Sequence, residues 1–163
     1  MRLRRLATSD LAEFQAYRND ALLARFQDWG AKPQAEAADF LARMNTAELF
    51  RPGVWSQLGI EDADGLLIGD VGLFVAPDGR HAEIGITLSR GSQGRGVATE
   101  AVREAIELLF ENTDVETVRG IADARNLPSI RLLERSGMSR IDSRGAVFRG
   151  DDCVEHTYAV SRR

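Results

Sequence analysis

The stretch Glu83–Phe110, EIGITLSRGSQGRGVATEAVREAIELLF, changes its hydrophobic period midway, and that change constrains the fold more than any other feature of the chain. Ile84, Ile86 and Leu88 alternate with Glu83, Gly85 and Thr87, the period of two of a strand. Gly91, Gly94 and Gly96 then punctuate a short loop. Beyond it Ala98, Ala101, Val102, Ala105, Ile106 and Leu109 recur at helical spacing, with Glu100, Arg103, Glu104 and Glu107 on the other face. The pattern predicts a strand, a glycine loop and a helix in immediate succession.

That succession has chemical content. The first N–H groups of a helix have no intrahelical partner and point out of its end, where the helix dipole adds partial positive charge. Glycines let a phosphate approach the backbone without a Cβ in the way. Gln93–Ala98 is therefore predicted to cradle an anion, a pyrophosphate above all, with Arg90 and Arg95 placed to add positive charge. A P-loop is excluded, because Gly96-Val97-Ala98 stands where Gly-Lys-Ser/Thr is needed. A dinucleotide fingerprint fits Gly94 and Gly96 but meets Thr99 at its third glycine. The pattern Q/R-x-x-G-x-G/A fits Gln93-Gly94-Arg95-Gly96-Val97-Ala98 throughout.

At 163 residues, with 44% hydrophobic and 28% charged residues, the chain is expected to be one globular domain spanning residues 1–163. No apolar run approaches the ~20 residues that span a bilayer, and the basic start MRLRRLATSD lacks the apolar segment of a signal peptide. A soluble cytoplasmic protein, off the membrane, is the expectation. A net charge of -4 argues against broad nucleic-acid binding. One cysteine excludes an internal disulfide, and with only two histidines beside it no metal site is expected.

The remaining segments supply support. Arg2–Leu6 reads as a short strand, and Leu11, Phe14 and Tyr17 as the apolar side of a helix behind N-cap candidates Thr8-Ser9-Asp10. A second helix follows Pro33, with Phe40, Leu41 and Met44 inward. Val54–Ile60, Leu66–Val75 and His81–Leu88 read as an antiparallel meander with turns at Asp62–Gly65 and Pro77–Gly79. Val115–Ala122 is a strand joined through the central helix, hence a parallel step. Asn126 caps a last helix, Gly137 ends it, and Ser139–Phe148 and Cys153–Val160 form a terminal hairpin across Arg149–Asp152. The predicted class is α/β with mixed α+β character: a twisted, mostly antiparallel sheet of about seven strands with about four flanking helices.

Gln93–Ala98 resembles motif A of the GNAT superfamily of N-acetyltransferases, and Gln93–Ala101 resembles the QGKGYATEA run of its RimJ/RimL-like branch. Asn126-x-x-Ser129, followed by Arg131-Leu132-Leu133-Glu134-x-x-Gly137-Met138, resembles the N-x-x-S-x-R-x-L-E-x-x-G-F run of the same branch. The likeness is strong over roughly residues 81–140. Leu133 stands where many superfamily members carry a catalytic tyrosine, and Met138 replaces phenylalanine.

The resemblance implies the GNAT fold and direct transfer of an acetyl group from acetyl-CoA to a primary amine, on a protein N-terminus or a small molecule. No metal is needed, and a homodimer is compatible with it. Cofactor contacts are implied for Ile86, Leu88, Gln93, Gly94, Arg95, Gly96, Val97, Ala98, Thr99, Asn126, Ser129 and Arg131. Because the attacking amine must be neutral, a base is useful at pH 7. Glu83, directly or through water, is the candidate base, and Ser129 a candidate proton donor to the departing thiolate. His81 and His156 are alternative bases, though each reads more simply as a surface or strand residue. Cys153 reads as packing, not as an acyl carrier. Phe26, Trp29 and Trp55 are candidates for an acceptor pocket. A non-catalytic acyl-CoA-binding or sensing module of the same fold is the competing reading; Glu83 speaks against it.

Overall fold

The structure is a computed structural model that describes residues 1–163. Its strands are β1 (Arg2–Arg5), β2 (Trp55–Glu61), β3 (Leu67–Val75), β4 (His81–Leu88), β5 (Thr117–Asp123), β6 (Ser139–Phe148) and β7 (Asp151–Ser161). Its helices are α1 (Leu11–Arg18), α2 (Ala21–Ala24), α3 (Gln34–Thr46), α4 (Val97–Asn112) and α5 (Leu127–Arg135). One seven-stranded sheet runs in the order β1-β2-β3-β4-β5-β7-β6. Every pairing is antiparallel except β4 with β5.

The mixed sheet follows the sequence reading, with one helix more than expected. The addition is the four-residue α2, capped by the Asp20 carboxylate accepting from Leu22 N–H. The start of α1 also differs. Asp10 holds the N-cap position, but its side chain bonds no N–H of α1; it closes a short 3-10 turn by accepting from Ala7 N–H at 2.8 Å and from the Arg4 guanidinium. The terminal hairpin turns on two residues, not four, because Phe148 and Asp151 already pair across it.

Successive residues of a strand face opposite sides of a sheet. On β3, Val71 and Leu73 join Ile84 of β4 in a core completed by Ala101, Val102, Ala105 and Leu109 of α4. Asp70 points the other way, into α1, so helices cover both faces. A smaller apolar cluster of Leu6, Phe14, Tyr17, Leu41 and Leu67 joins α1 and α3 to that second face. Gly69 permits the close approach of β3 to β4, since a Cβ there would stand 2.3 Å from the Thr87 carbonyl oxygen.

α5 is held at both ends. The Asn126 side chain accepts from Ser129 N–H, and Gly137 at φ 92° closes the last turn. Met138 N–H reaches the Leu133 carbonyl and Gly137 N–H the Glu134 carbonyl, the paired bonds of a Schellman end.

Candidate active site

The sheet opens at its centre. The β4–β5 register runs from His81↔Thr117 to Ile84↔Gly120 and stops, although β4 continues to Leu88 and β5 to Asp123. β5 keeps β7 as its partner through Asp123↔Glu155. The far half of β4 therefore has a free edge. Ala76 N–H bonds the His81 carbonyl and Ser89 N–H bonds the Ile68 carbonyl. With alternation along an antiparallel pair, Ile86 and Leu88 turn their peptide groups away from β3, toward the opening. Two of those carbonyls take side-chain amides: Gln27 Nε2 donates to Ile86 at 3.3 Å and Gln93 Nε2 to Leu88 at 3.0 Å.

The N-terminus of α4 faces the same end of β4. Gly96 is its N-cap at φ 82°, no side chain caps the helix, and the first backbone bond is Glu100 N–H to the Gly96 carbonyl. Val97, Ala98 and Thr99 thus keep outward N–H groups, as an anion site requires. A Cβ on Gly94 or Gly96 would meet no protein atom within 4 Å. Packing does not demand these glycines; their left-handed backbone and the empty approach to the helix end do. These residues fit a pyrophosphate.

The other predicted cofactor contacts take three positions. Arg95 and Arg131 are exposed and form no ion pair. Asn126 and Ser129 stand at the end of β5 and the start of α5, on the far bank of the opening. Gln93 is occupied in tying the loop back to β4. Arg90, in contrast to the expectation of free positive charge, bonds Asp20 through Nε at 2.6 Å.

Glu83, Gly85 and Thr87 share the face of β4 opposite α4. There a cavity of about 370 Å³ is bounded by Trp55 and Gln57 of β2, Phe26 and Trp29 from the α2–α3 connection, Ile121 of β5, and Phe148, Cys153 and Glu155 of the hairpin. The three aromatic residues singled out in the sequence meet in this one cavity. Glu83 is half-buried in it and has neither a hydrogen-bond donor nor an ion-pair partner within the protein. Burial raises its pKa above the usual carboxylate range, and the charges of Glu155 and Asp28 add to the rise; Arg119 and Arg144 oppose it. An unpaired carboxylate with raised affinity for a proton is suited to general-base chemistry.

The alternative bases lie elsewhere. His81, at the start of β4, stands 3.9 Å from Asp78. His156 pairs in register with Ala122 and bonds the Ser143 hydroxyl at 2.7 Å, while its neighbour Glu155 turns to the cavity. Cys153 lines the cavity, but burial pushes its thiol pKa up and the Asp123 charge adds to the rise, so it stays protonated at neutral pH.

Sequence patterns did not disclose the support beneath the cavity. Arg18 Nη2 donates to Asp70 Oδ1 at 2.7 Å and Oδ2 at 2.8 Å, and Tyr17 donates to Oδ2 at 2.5 Å. Arg18 also donates to Gln57 at 3.2 Å and lies 4.3 Å from the Trp29 ring centre. The available signal was Asp70 itself, a lone charge in the apolar run LIGDVGLFV.

At the cradle, Gly96→Val is expected to weaken binding of a pyrophosphate-bearing ligand at least tenfold, since φ 82° strains a β-branched residue and its side chain would fill the anion approach. Calorimetry reads the loss; unchanged affinity would remove the cradle from this loop.

Known proteins similar to this chain in sequence or in fold carry related names. Probable N-acetyltransferase YjcK of Bacillus subtilis is 30% identical over 104 residues, 63% of this chain and 55% of its own length. The chain thus matches about half the length of that relative. An acetyltransferase (GNAT family) from Bacillus anthracis superposes with a TM-score of 0.85 at 18% identity, over 98% of this chain and 93% of the other. A spermidine N-acetyltransferase from Vibrio cholerae, solved with CoA and spermine, gives 0.83 at 19% identity over 98% and 94%. At those identities the structures show the shared fold. The sequence model of the Acetyltransferase (GNAT) domain matches residues 1–139, and the chain belongs to that family.

Proposed function

We propose that residues 1–163 form a single N-acetyltransferase domain of the RimJ/RimL-like branch, moving the acetyl group of acetyl-CoA directly to a primary amine. The acceptor is a small-molecule amine or a protein N-terminus. One observation carries the reading: a half-buried, unpaired Glu83 lies in a cavity on the same strand whose far edge opens beside the uncapped α4. The Vibrio cholerae structure, named for its complex with CoA and spermine, lends support.

In this reading the N–H groups of Val97, Ala98 and Thr99 hold the pyrophosphate, and the Ile86 and Leu88 peptides flank the pantetheine arm. The acceptor amine loses its proton to Glu83, directly or through one water, and attacks the thioester carbonyl. Backbone donors at the open edge stabilise the oxyanion. The C–S bond breaks, and Ser129 or solvent protonates the thiolate. Ser129 is half-buried and its hydroxyl bonds nothing else in the protein, which leaves it free for that role.

The test combines binding with turnover. Acetyl-CoA at ~100 times its Kd adds about 2.7 kcal/mol, which for a chain of this size raises the melting temperature by about 5–10 °C. NAD(H) is expected to leave it unchanged, and thiol release is expected with at least one member of an amine and peptide panel. Binding without thiol release on any acceptor would favour the sensing module; stabilisation by NAD(H) alone would overturn the cofactor.

A further inference from the structure

Arg149 is one of two non-glycine residues with positive φ, at 52°, and with Gly150 at φ 85° it makes the β6–β7 turn. Glycine or asparagine would occupy its position with less strain. The backbone therefore does not explain an arginine, but the side chain does. Arg149 Nη2 donates to the Gln27 carbonyl at 2.9 Å and to the Trp29 carbonyl at 3.1 Å, and the guanidinium pairs with no carboxylate. Both carbonyls belong to the connection between α2 and α3, which joins no strand of the sheet. Gln27 itself reaches the free edge of β4 through its bond to the Ile86 carbonyl. The hairpin tip, the connection and the reactive strand are thus linked in series. Phe26, Asp28 and Trp29 on one side and Phe148 on the other bound the same cavity.

We propose that Arg149 is a positioning residue for the acceptor. By clasping the Gln27 and Trp29 carbonyls it holds the α2–α3 connection over the cavity as a fixed wall, and so sets how tightly the amine is held beside Glu83. The identity of the occupant rests on the acetyltransferase reading; the clasp does not.

Two variants of the full chain separate these points. Arg149→Gly removes the clasp and relaxes the turn, so the melting temperature is expected to hold or rise. Arg149→Lys keeps the charge, but its flexible ammonium lacks the planar guanidinium that fixes the two N–H groups of Nη2 toward the two carbonyls. For Arg149→Gly, amide hydrogen exchange over residues 24–33 is expected to quicken at least tenfold. The KM for a working acceptor is expected to rise about tenfold, with kcat and the acetyl-CoA KM within about threefold of the parent. Arg149→Lys is expected to fall between the two. Unchanged exchange in the glycine variant would show that no clasp operates. Quickened exchange with an unchanged acceptor KM would show that the clasped segment does not hold the acceptor. A parent that turns over no amine fails the acetyltransferase reading and the acceptor role with it, while the exchange comparison still decides the clasp.

Discussion

Glu83→Gln is expected to lower kcat by about 10²–10⁴-fold with acetyl-CoA affinity nearly unchanged. Glutamine keeps the size and much of the hydrogen bonding, yet cannot take a proton as a carboxylate does. The anion cradle lies beyond the other end of β4, which isolates binding from the substitution. The loss is greatest where the amine is mostly protonated while the Glu83 carboxylate is still ionised; it shrinks at high pH, where free amine exists without a base, and in acid, where Glu83 is itself protonated. A pH–rate profile of both proteins reads this, and a variant parallel to the parent at every pH, within about threefold, would take Glu83 out of the mechanism.

Stability moves in the opposite direction. The folded-state pKa of Glu83 is raised, chiefly by burial and then by Glu155 and Asp28. A group raised in this way favours the fold while protonated, and that contribution is lost as pH climbs through the folded-state value. Above that value the ionised carboxylate therefore works against folding. Glu83→Gln is expected to melt at or above the parent at pH 7, with the difference vanishing in acid below the unfolded pKa. A catalytic defect cannot then be mistaken for unfolding.

The central element was legible because its signals are local. The change of period from two to 3.6 across Gly91–Gly96 marks where β4 ends and α4 begins. Gly137 followed by Met138 marks the end of α5 because the Schellman bonds need a left-handed residue there. The hairpin turn was misjudged because Arg149 at positive φ is not a residue that turn rules place there, and its reason lies 120 residues away in the Trp29 carbonyl. The split between β4 and β5 is likewise invisible in periodicity. Gly85–Leu88 alternate like any paired strand, and only the register shows that their second edge has no strand partner.

The same limit applies to the acceptor side. Asp28, Asp123 and Glu155 belong to no motif in the sequence, yet all three border the cavity that holds Glu83. The rise that Glu155 and Asp28 add to its pKa depends on a wall built from the terminal hairpin and the α2–α3 connection, two segments far apart in the chain.

Asp70→Ala is expected to produce the largest loss of stability of any single change considered, about 3–5 kcal/mol, the range for removing one partner of a buried ion pair. Asp70 and Arg18 are both buried, and the carboxylate takes the Arg18 guanidinium and the Tyr17 hydroxyl together. Alanine would strand a buried cation and a buried hydroxyl at once. For a chain of 163 residues that loss lowers the melting temperature by on the order of 10 °C. A second variant identifies its origin. Arg18→Met with Asp70→Leu removes both charges, and apolar replacement of a buried pair is often neutral, so most of the stability is expected to return. Acceptor binding is not expected to return with it, because Arg18 also stacks 4.3 Å from the Trp29 ring centre and bonds Gln57 beneath the cavity. The measurement is a melting curve for each variant beside the acceptor KM. A double variant as unstable as Asp70→Ala would place the loss in the missing ion pair, not in the stranded charge. A double variant with the parent's KM would show that Trp29 keeps its place without Arg18.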